Sequence, residues 1–375
     1  MISYKFRLYP NKEQIERLNK QLDSHRWLYN QALEQRKTAY EQKSESINYR
    51  MQAAWLTQQR KASNQRVKAV NVSTCQRTLK RMDKAFAAFF RRVKAGETPG
   101  YPRFKGYNRF NSLEYTYSDG IKIKDGSLYV QHVGNVRIRQ HRPIEGKIKT
   151  AIIKRKADKW FVCFSVEPGP QPQPGRSFKA LKLLRTEESV GLDMGLFHLV
   201  ITSDGEFFDA PKYLRKSLRR LRIIQRCIAR RKEGSNRRHK AVNKLQRLHD
   251  YVANQRRDTA HKISRKLVDR YDLIAVENLN VSGMVKNHRL AKSISDAAWS
   301  TFQDILISKA ENAGKMVVKV DPKYTSQECS GCGKIVKKDL SVRVHECPDC
   351  GLMLDRDVNA AKNILARGRR VQEST

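Results

Sequence analysis

The sequence predicts an α/β protein of several parts, on three observations. Period-two alternation flanks a helical block in the first half, a proline-rich stretch then interrupts the chain, and the second half mixes short apolar strands, long basic helices and two Cys-x2-Cys pairs. A length of 375 residues and a mass of 43.5 kDa allow two or three separate cores.

Residues 1–9 place Tyr4, Phe6 and Leu8 on one side and Lys5 and Arg7 on the other, the pattern of a half-buried strand, which Pro10 and Asn11 end. Ile15, Leu18, Leu22, His25, Leu28 and Tyr29 then recur near a 3.6 period, so a helix follows. Residues 46–98 are again helical in pattern, with Met51, Trp55, Val72, Leu79, Met82, Phe86, Phe89 and Phe90 as the expected apolar face, closed by Gly96, Pro99 and Gly100. After Pro102 come short alternating runs with turns at 118–120 (SDG) and 125–126 (DG), ending on Val162, Phe164 and Val166; these predict a small β-barrel or sheet. The first half therefore reads as a β domain (1–45 and 99–175) carrying a helical insertion (46–98).

Residues 167–175 (EPGPQPQPG) form the expected linker, because alternate prolines fix φ and remove donors. Beyond it, residues 190–208 read as strand, strand, Ser-Asp-Gly turn, strand. Residues 211–270 carry 21 Lys and Arg against 4 acidic residues and break at Gly234, which suits a two-helix arm lying on phosphates. A strand at 273–277 (LIAVE), a polar loop, a helix at about 295–313 and a buried strand at 316–320 complete the order. The expected layout is an α/β domain at 176–320 and 354–368, a cysteine ribbon at 321–353 and a tail at 369–375.

Lys and Arg total 76 against 37 Asp and Glu, a formal charge of +39, and the isoelectric point is about 10.2. Such an excess calls for a polyanionic partner. The start of the chain lacks the look of a signal peptide and no apolar run reaches the ~20 residues of a spanning helix, so nucleic acid is expected and membrane is not. Of seven cysteines, Cys75, Cys163 and Cys227 are scattered outside the two pairs; the odd count predicts a reducing compartment, that is, a cytoplasmic, nucleoid-associated protein.

Two constellations carry chemistry. Cys329, Cys332, Cys347 and Cys350 follow Cys-x2-Cys-x14-Cys-x2-Cys, each pair trailed by a glycine (Gly333, Gly351) that permits the turn aiming two thiolates at one ion. One tetrahedral Zn²⁺ is expected, structural because all four positions are filled. Two disulfides or idle thiols, and His345 as a substitute ligand, are the alternatives. The second constellation is Asp193 in one apolar strand, Glu277 ending another and Asp357 opening a helix. Phosphodiester hydrolysis by two Mg²⁺ ions requires oxygen ligands gathered from several elements, flanking attacking and leaving oxygens with the ions about 4 Å apart. The plainer alternative has Asp193 and Glu277 at strand ends in solvent and Asp355 or Asp357 as a helix cap.

The order acid strand, hairpin, Glu strand, acid helix is similar to that of the RNase H-like fold used by RuvC-type nucleases, and the closing Asp speaks against cut-and-paste transposases. The blocks 191–195 (GLDMG), 275–280 (AVENLN), 324–332 (YTSQECSGC) and 355–361 (DRDVNAA), with 5–11 (KFRLYPN) and 100–105 (GYPRFK), resemble those of TnpB, the transposon-encoded relative of type V CRISPR effectors, along nearly the whole chain. Asn278 departs from the family's usual Asp, and the family's Asp-x-Asn-Ala-Ala pattern selects Asp357 over Asp355.

The resemblance implies an RNA-guided DNA endonuclease that carries a guide RNA and cuts target double-stranded DNA next to a short motif, with Asp193, Glu277 and Asp357 as catalytic residues holding two Mg²⁺ ions. It further implies a wedge-like role for the β domain, target recognition by the helical insertion and a lid at 283–296. Arg7, Lys105, Arg219, Arg220 and Arg222 are the expected guide contacts, Ser73 and Gln76 the motif readers, and Tyr101, Phe104, Tyr107 and Phe110 a stacking surface. A nuclease-inactive guide-directed repressor and a recombinase or transposase are the rival classes.

Overall fold

The computed structural model describes residues 1–107, 109–169, 188–339 and 342–373, and the chain divides into two compact units, 1–171 and 172–375. Most of the linker expected at 167–175 lies outside the described residues.

In the first unit the alternating start forms β1 (Ile2–Tyr9), with Tyr4, Phe6 and Leu8 buried. Asn11 then caps α1 (Lys12–Lys43) by a reciprocal pair: its side chain accepts from Gln14 N at 2.8 Å and its own N–H donates to the Gln14 side chain at 3.1 Å. The helical block that follows is three helices, α2 (Tyr49–Lys61), α3 (Gln65–Lys68) and α4 (Val72–Lys94), each started by an asparagine cap, Asn48, Asn64 and Asn71. These breaks reset the helical phase, so the apolar face expected across 46–98 is partly misplaced. Leu56, Val67, Val70, Cys75, Leu79, Met82 and Phe86 are buried, whereas Met51, Val72 and Phe90 are 51%, 43% and 60% exposed. His25 joins the core as a neutral ring: Thr74 and Thr78 hydroxyls meet its two nitrogens at 3.1 and 3.0 Å, and burial pushes its pKa down to about 3.

The strands are β2 (Ser112–Thr116), β3 (Ile121–Lys124), β4 (Ser127–Val130), β5 (Gly134–Arg139), β6 (Lys147–Lys156) and β7 (Lys159–Glu167). They form one antiparallel sheet in the order β2-β6-β7-β1-β5-β4-β3. Its two edge strands are consecutive in sequence, and the few residues joining them reach at most about 18 Å. Seven flat strands would spread to about 29 Å. The sheet must therefore curl until its edges approach each other, nearer the barrel than the open sheet of the two forms the alternating runs allow.

The second unit is built on β8 (Ser189–Asp193), β9 (His198–Thr202) and β10 (Phe207–Asp209), an antiparallel meander, followed by α5 (Tyr213–Ala229) and α6 (Asn236–Arg270), the two-helix basic arm. Then come β11 (Leu273–Glu277), the short α7 (Val281–Met284) and α8 (Ala291–Ala297), α9 (Trp299–Asn312) and β12 (Met316–Val320). The sheet order is β10-β9-β8-β11-β12, with β11 parallel to both neighbours. A hairpin β13 (Val344–Glu346) and β14 (Met353–Asp355) leads into α10 (Arg356–Glu373).

Alternation decides which helix covers which face. Ile274 and Val276 join Val190, Leu192, Leu267 and Phe302 on the α6/α9 side, while Leu273 and Ala275 join Val318, Val320 and Ile364 of α10. Fully burying side chains of this size contributes about 1.5–3 kcal/mol each. Helix α10 lies unusually close: a Cβ on Gly191 would meet Ala361 O at 2.0 Å, and one on Gly368 would meet Ala275 Cβ at 2.5 Å. No helix of the described residues is long and apolar enough to cross a membrane.

Candidate metal centres

The cysteine centre is assembled by two copies of one turn. Gly333 N donates to Cys329 O at 2.8 Å and Gly351 N to Cys347 O at 3.0 Å, with both glycines at positive φ, +78° and +71°. Their four sulfurs lie within 4.8 Å of one another, with Cys329–Cys350 and Cys332–Cys347 each at 3.6 Å. Tetrahedral Zn–S bonds of about 2.3 Å put sulfurs roughly 3.8 Å apart. A disulfide needs about 2.05 Å. The donor set therefore fits one Zn²⁺ with no position left open, and the thiols are unpaired. Backbone N–H groups of Cys350 and Asp349 lower the Cys347 thiol to about 6, the thiolate form a metal takes. His345 is not in this cluster; it is fully buried in the ribbon with neither ring nitrogen hydrogen-bonded.

The acid centre is assembled at long range. Asp193 lies two residues beyond Gly191 and Glu277 two beyond Ala275, so pleating aims both toward the face that α10 covers. Parallel pairing of Ala275 with Gly191 and Val276 with Leu192 brings the next residues, Glu277 and Asp193, level on adjacent strands. Helix α10 runs against β8: Ala361 O meets the Gly191 position and Arg369 meets Ser189 Oγ at 2.7 Å. Going back four helical residues from Ala361 covers about 6 Å. Two strand residues beyond Gly191 cover about 6.6 Å. Asp357 thereby comes level with Asp193.

Electrostatics register the convergence. Burial, then the charges of Glu277 and Asp357, push Asp193 up to about 8, against a partial opposing effect from the Met194 backbone N–H and Arg356. Burial also raises Glu277, opposed by its hydrogen bond from Thr325, and raises Asp357, with Asp355 adding to the rise. Desolvated acids that raise one another's pKa have the donor chemistry a cation would relieve, and oxygen donors suit a hard divalent one. Among the described residues only the cysteines bring three or more ligand atoms within 4.8 Å of one another, so the three acids are not gathered that tightly. Asp355 answers the helix-cap alternative: its Oδ1 accepts from Asp357 N at 2.8 Å and Val358 N at 3.1 Å, so it caps α10 and leaves Asp357 to the site.

Several residues without a sequence role hold the two centres together. Asn359 and Asn363, one turn apart on α10 and both buried, donate to Glu328 O at 2.7 and 2.6 Å, and Asn359 accepts from Ser330 N at 2.9 Å between the first two cysteines. Arg367, a further turn along, pairs with Glu328 at 2.6 Å. Buried Gln303 donates to Glu277 O at 2.9 Å. Thr325 donates to Glu277 Oε1 at 2.6 Å, and Arg343 lies 3.4 Å from Asp357 and 4.7 Å from the Phe197 ring. The one available signal was Asn359 and Asn363 at helical spacing i, i+4, which singles out a face but not its partner.

The expected lid at 283–296 contains α8, whose Asp296 takes the uncapped N-terminus of α5 through Leu214 N at 3.1 Å and pairs with Arg256 at 2.6 Å. A cavity of about 390 Å³ beside it is lined by Phe197, Leu214, Leu218, Arg256 and Phe302, among others. None of the three acids lines it, so the cavity is no measure of the acid site.

The expected nucleic-acid contacts fare unevenly. Arg219, Arg220, Arg222 and Gln76 are exposed. Arg7 stacks on the outer face of β1, with its guanidinium 5.1 Å from the Phe161 ring and 5.4 Å from Tyr9. Ser73 donates to Asn71 Oδ1 at 2.8 Å, and Lys105 is docked on α1, its backbone bonded both ways to Asn30 and its ammonium 5.5 Å from the Tyr29 ring. Phe110 is a correction: its ring is buried against His25 and Tyr29 of α1, with the Arg81 guanidinium of α4 5.1 Å away, whereas Tyr101, Phe104 and Tyr107 stay exposed. Phe86 is core, but Phe90 is not; with Phe89 it forms an aromatic cluster that Tyr101 joins, the Phe89–Tyr101 centroids being 5.4 Å apart.

Comparison with known proteins gives three family models: "Probable transposase" over residues 163–288, "Cas12f1-like, TNB domain" over 299–364 and "Helix-turn-helix domain" over 1–45. In this structure the last spans a strand and the whole of a single 32-residue helix. A relative from Streptomyces pristinaespiralis, named "Putative RNA-guided DNA endonuclease", is 34% identical, covering 98% of this chain and 89% of its own. One from Escherichia coli K12, named in the same words with the suffix InsQ, is 30% identical over 98% and 92%. The CRISPR-associated endodeoxyribonuclease Cas12f1 of Sulfoacidibacillus thermotolerans is 33% identical over 27% of this chain and 24% of its own.

Proposed function

The chain belongs to the TnpB family, and from that membership we propose that it is a transposon-encoded, RNA-guided DNA endonuclease that cuts target double-stranded DNA where Asp193, Glu277 and Asp357 converge. The observation that carries the reading is the charge frustration at Asp193, held up to about 8 by burial and by two neighbouring acids. The strand order β10-β9-β8-β11-β12, with α10 across it, supports an RNase H-like, RuvC-type nuclease core.

In this reading the three carboxylates hold two Mg²⁺ ions, which when bound supply Lewis-acid polarisation of the scissile phosphate and neutralise developing charge. The chain's own part is to fix the ligands. The β8–β11 register sets the spacing of Asp193 and Glu277, Asp355 caps α10 so that Asp357 is presented in its first turn, and Gln303 ties the end of β11 to α9. The ribbon holds one structural Zn²⁺ at Cys329, Cys332, Cys347 and Cys350. A charge of +39 matches a guide RNA and an RNA–DNA heteroduplex gripped by backbone rather than sequence. We assign such contacts to the exposed Arg219, Arg220 and Arg222 and to the half-buried Arg7, and the reading of a base edge beside the target to the exposed Gln76.

The test is to purify the protein with its copurifying RNA, sequence that RNA, and supply a DNA duplex matching its variable end. Cleavage that requires both the match and Mg²⁺ supports the reading; a protein that binds the duplex at the match and never cuts it is a repressor instead.

A further inference from the structure

We propose that Thr325, at the root of the cysteine ribbon, is a positioning residue for Glu277, so that the ribbon helps set how tightly the acid centre holds a divalent cation. The inference rests on the reading of Glu277 as a cation ligand.

The contact itself is short and buried. Thr325 Oγ1 lies 2.6 Å from Glu277 Oε1, with the Pro322 carbonyl as a longer alternative acceptor at 3.1 Å, and both Thr325 and Glu277 are buried. A hydroxyl-to-carboxylate bond of this length is of the charge-assisted kind, roughly twice as strong as a neutral one. It occupies one carboxylate oxygen, favours the ionised form and removes rotamer freedom from a side chain that must keep its other oxygen for a cation.

Thr325 is in turn held from the ribbon side. Its carbonyl accepts from Asn363 Nδ2 at 2.9 Å; the same amide reaches Glu328 O at 2.6 Å, where Asn359 also donates at 2.7 Å. Asn359 Oδ1 accepts from Ser330 N at 2.9 Å, inside the first cysteine knuckle. Each step from that knuckle to Glu277 is therefore a named hydrogen bond, and α10, which carries Asp357, supplies both asparagines. The ribbon and the acid centre share one buried polar network, and such networks act through geometry rather than by adding charge.

The test uses the full-length protein with its copurified RNA, in wild-type, Thr325→Val and Thr325→Ser forms. Three quantities are read: zinc per chain, the Mn²⁺ concentration that half-saturates the acid centre, and the Mg²⁺ concentration giving half-maximal cleavage. An Asp193→Ala complex serves as the blank for Mn²⁺ bound by RNA. Removing an outer partner of a metal ligand typically costs about 10–100-fold in metal affinity. The expected result is a roughly tenfold rise in both half-saturating concentrations for Thr325→Val, full cleavage rate recovered at saturating Mg²⁺, Thr325→Ser within about threefold of wild type, and unchanged zinc in all forms.

A Thr325→Val protein with wild-type Mn²⁺ and Mg²⁺ dependence overturns the proposal, as does a zinc-replete Thr325→Ser protein as weak as the valine form. Should the valine protein lose zinc, Thr325→Ala replaces it under the same criteria. If wild type and the Asp193→Ala blank bind Mn²⁺ alike, the acid-centre reading itself fails, an outcome distinct from failure of the Thr325 contact alone.

Discussion

The cysteine centre and the acid centre of the C-terminal unit are built by opposite routes. The cysteines come from two turns repeated within 22 residues of chain, each turn aiming its own pair of sulfurs inward. The acids come from two strands and a helix spread between positions 193 and 357, and only sheet register and the approach of α10 bring them level. A locally made site can survive damage to the fold around it. A site made by register cannot, because a one-residue slip sends every side chain to the opposite face.

The sharpest way to break this contrast is to compare the two aspartates that open α10. Asp357→Ala should reduce guided cleavage by on the order of 10³-fold or more, since a cation ligand is lost, while leaving RNA binding within a few fold. Asp355→Ala removes a cap and should cost about 1 kcal/mol in a thermal or denaturant melt, with cleavage reduced far less. Equal effects of the two substitutions on cleavage would remove the distinction drawn between them.

Next in size is the packing that sets the register. Gly191→Ala forces a Cβ to within 2.0 Å of Ala361 O, which is backbone and cannot swing aside. Overpacking of this kind typically costs about 1–3 kcal/mol, and this case should lie at or above the top of that range. It should weaken cleavage while leaving zinc content intact, because the cysteine turns do not depend on β8. Conversely, chelating zinc should release hydrogen-exchange protection across 321–353 first and leave β8 and β11 protected.

The pH dependence of cation binding follows from Asp193. Without a cation its folded pKa is about 8, whereas an unfolded Asp titrates near 3.9, so between those values the folded chain keeps a proton that the unfolded chain has lost. Stability of the cation-free protein should therefore fall as pH rises through that window. A divalent cation must displace the proton, so its affinity should rise up to about tenfold per pH unit from 6 toward 8 and flatten above. Calorimetry in buffers of different ionisation heat would measure the proton released; a flat affinity across this range would count against the carboxylate trio. The smallest effect expected is at Arg343, whose guanidinium is half exposed and sits 3.4 Å from Asp357. As a screened resident cation it competes weakly, and Arg343→Gln should tighten Mn²⁺ binding by only about two- to threefold.

How legible the molecule was in its sequence follows the same contrast. Cysteine spacing announces its geometry, and alternation around Asp193 and Glu277 announces strands, so both sets of candidate residues could be named without coordinates. The two-helix arm broken at Gly234 was equally plain. What stayed hidden were partners across space: nothing near Thr325 points to Glu277, and nothing near Asn359 points to Ser330. Periodicity misled where caps reset it, as at Met51 and Val72 beside Asn48 and Asn71, and where a ring ends a loop at the mouth of a strand, as Phe110 does. A repeating pattern carries the face of an element; it does not carry where the element stops.

The most direct measurement is a diffraction experiment on crystals grown with Mn²⁺, collected at the manganese absorption edge. Anomalous density coordinated jointly by carboxylate oxygens of Asp193, Glu277 and Asp357, at about 2.0–2.2 Å, is the expected result. Density bound by one of these acids alone, or by none, with Asp193 and Glu277 turned away from Asp357, would contradict it.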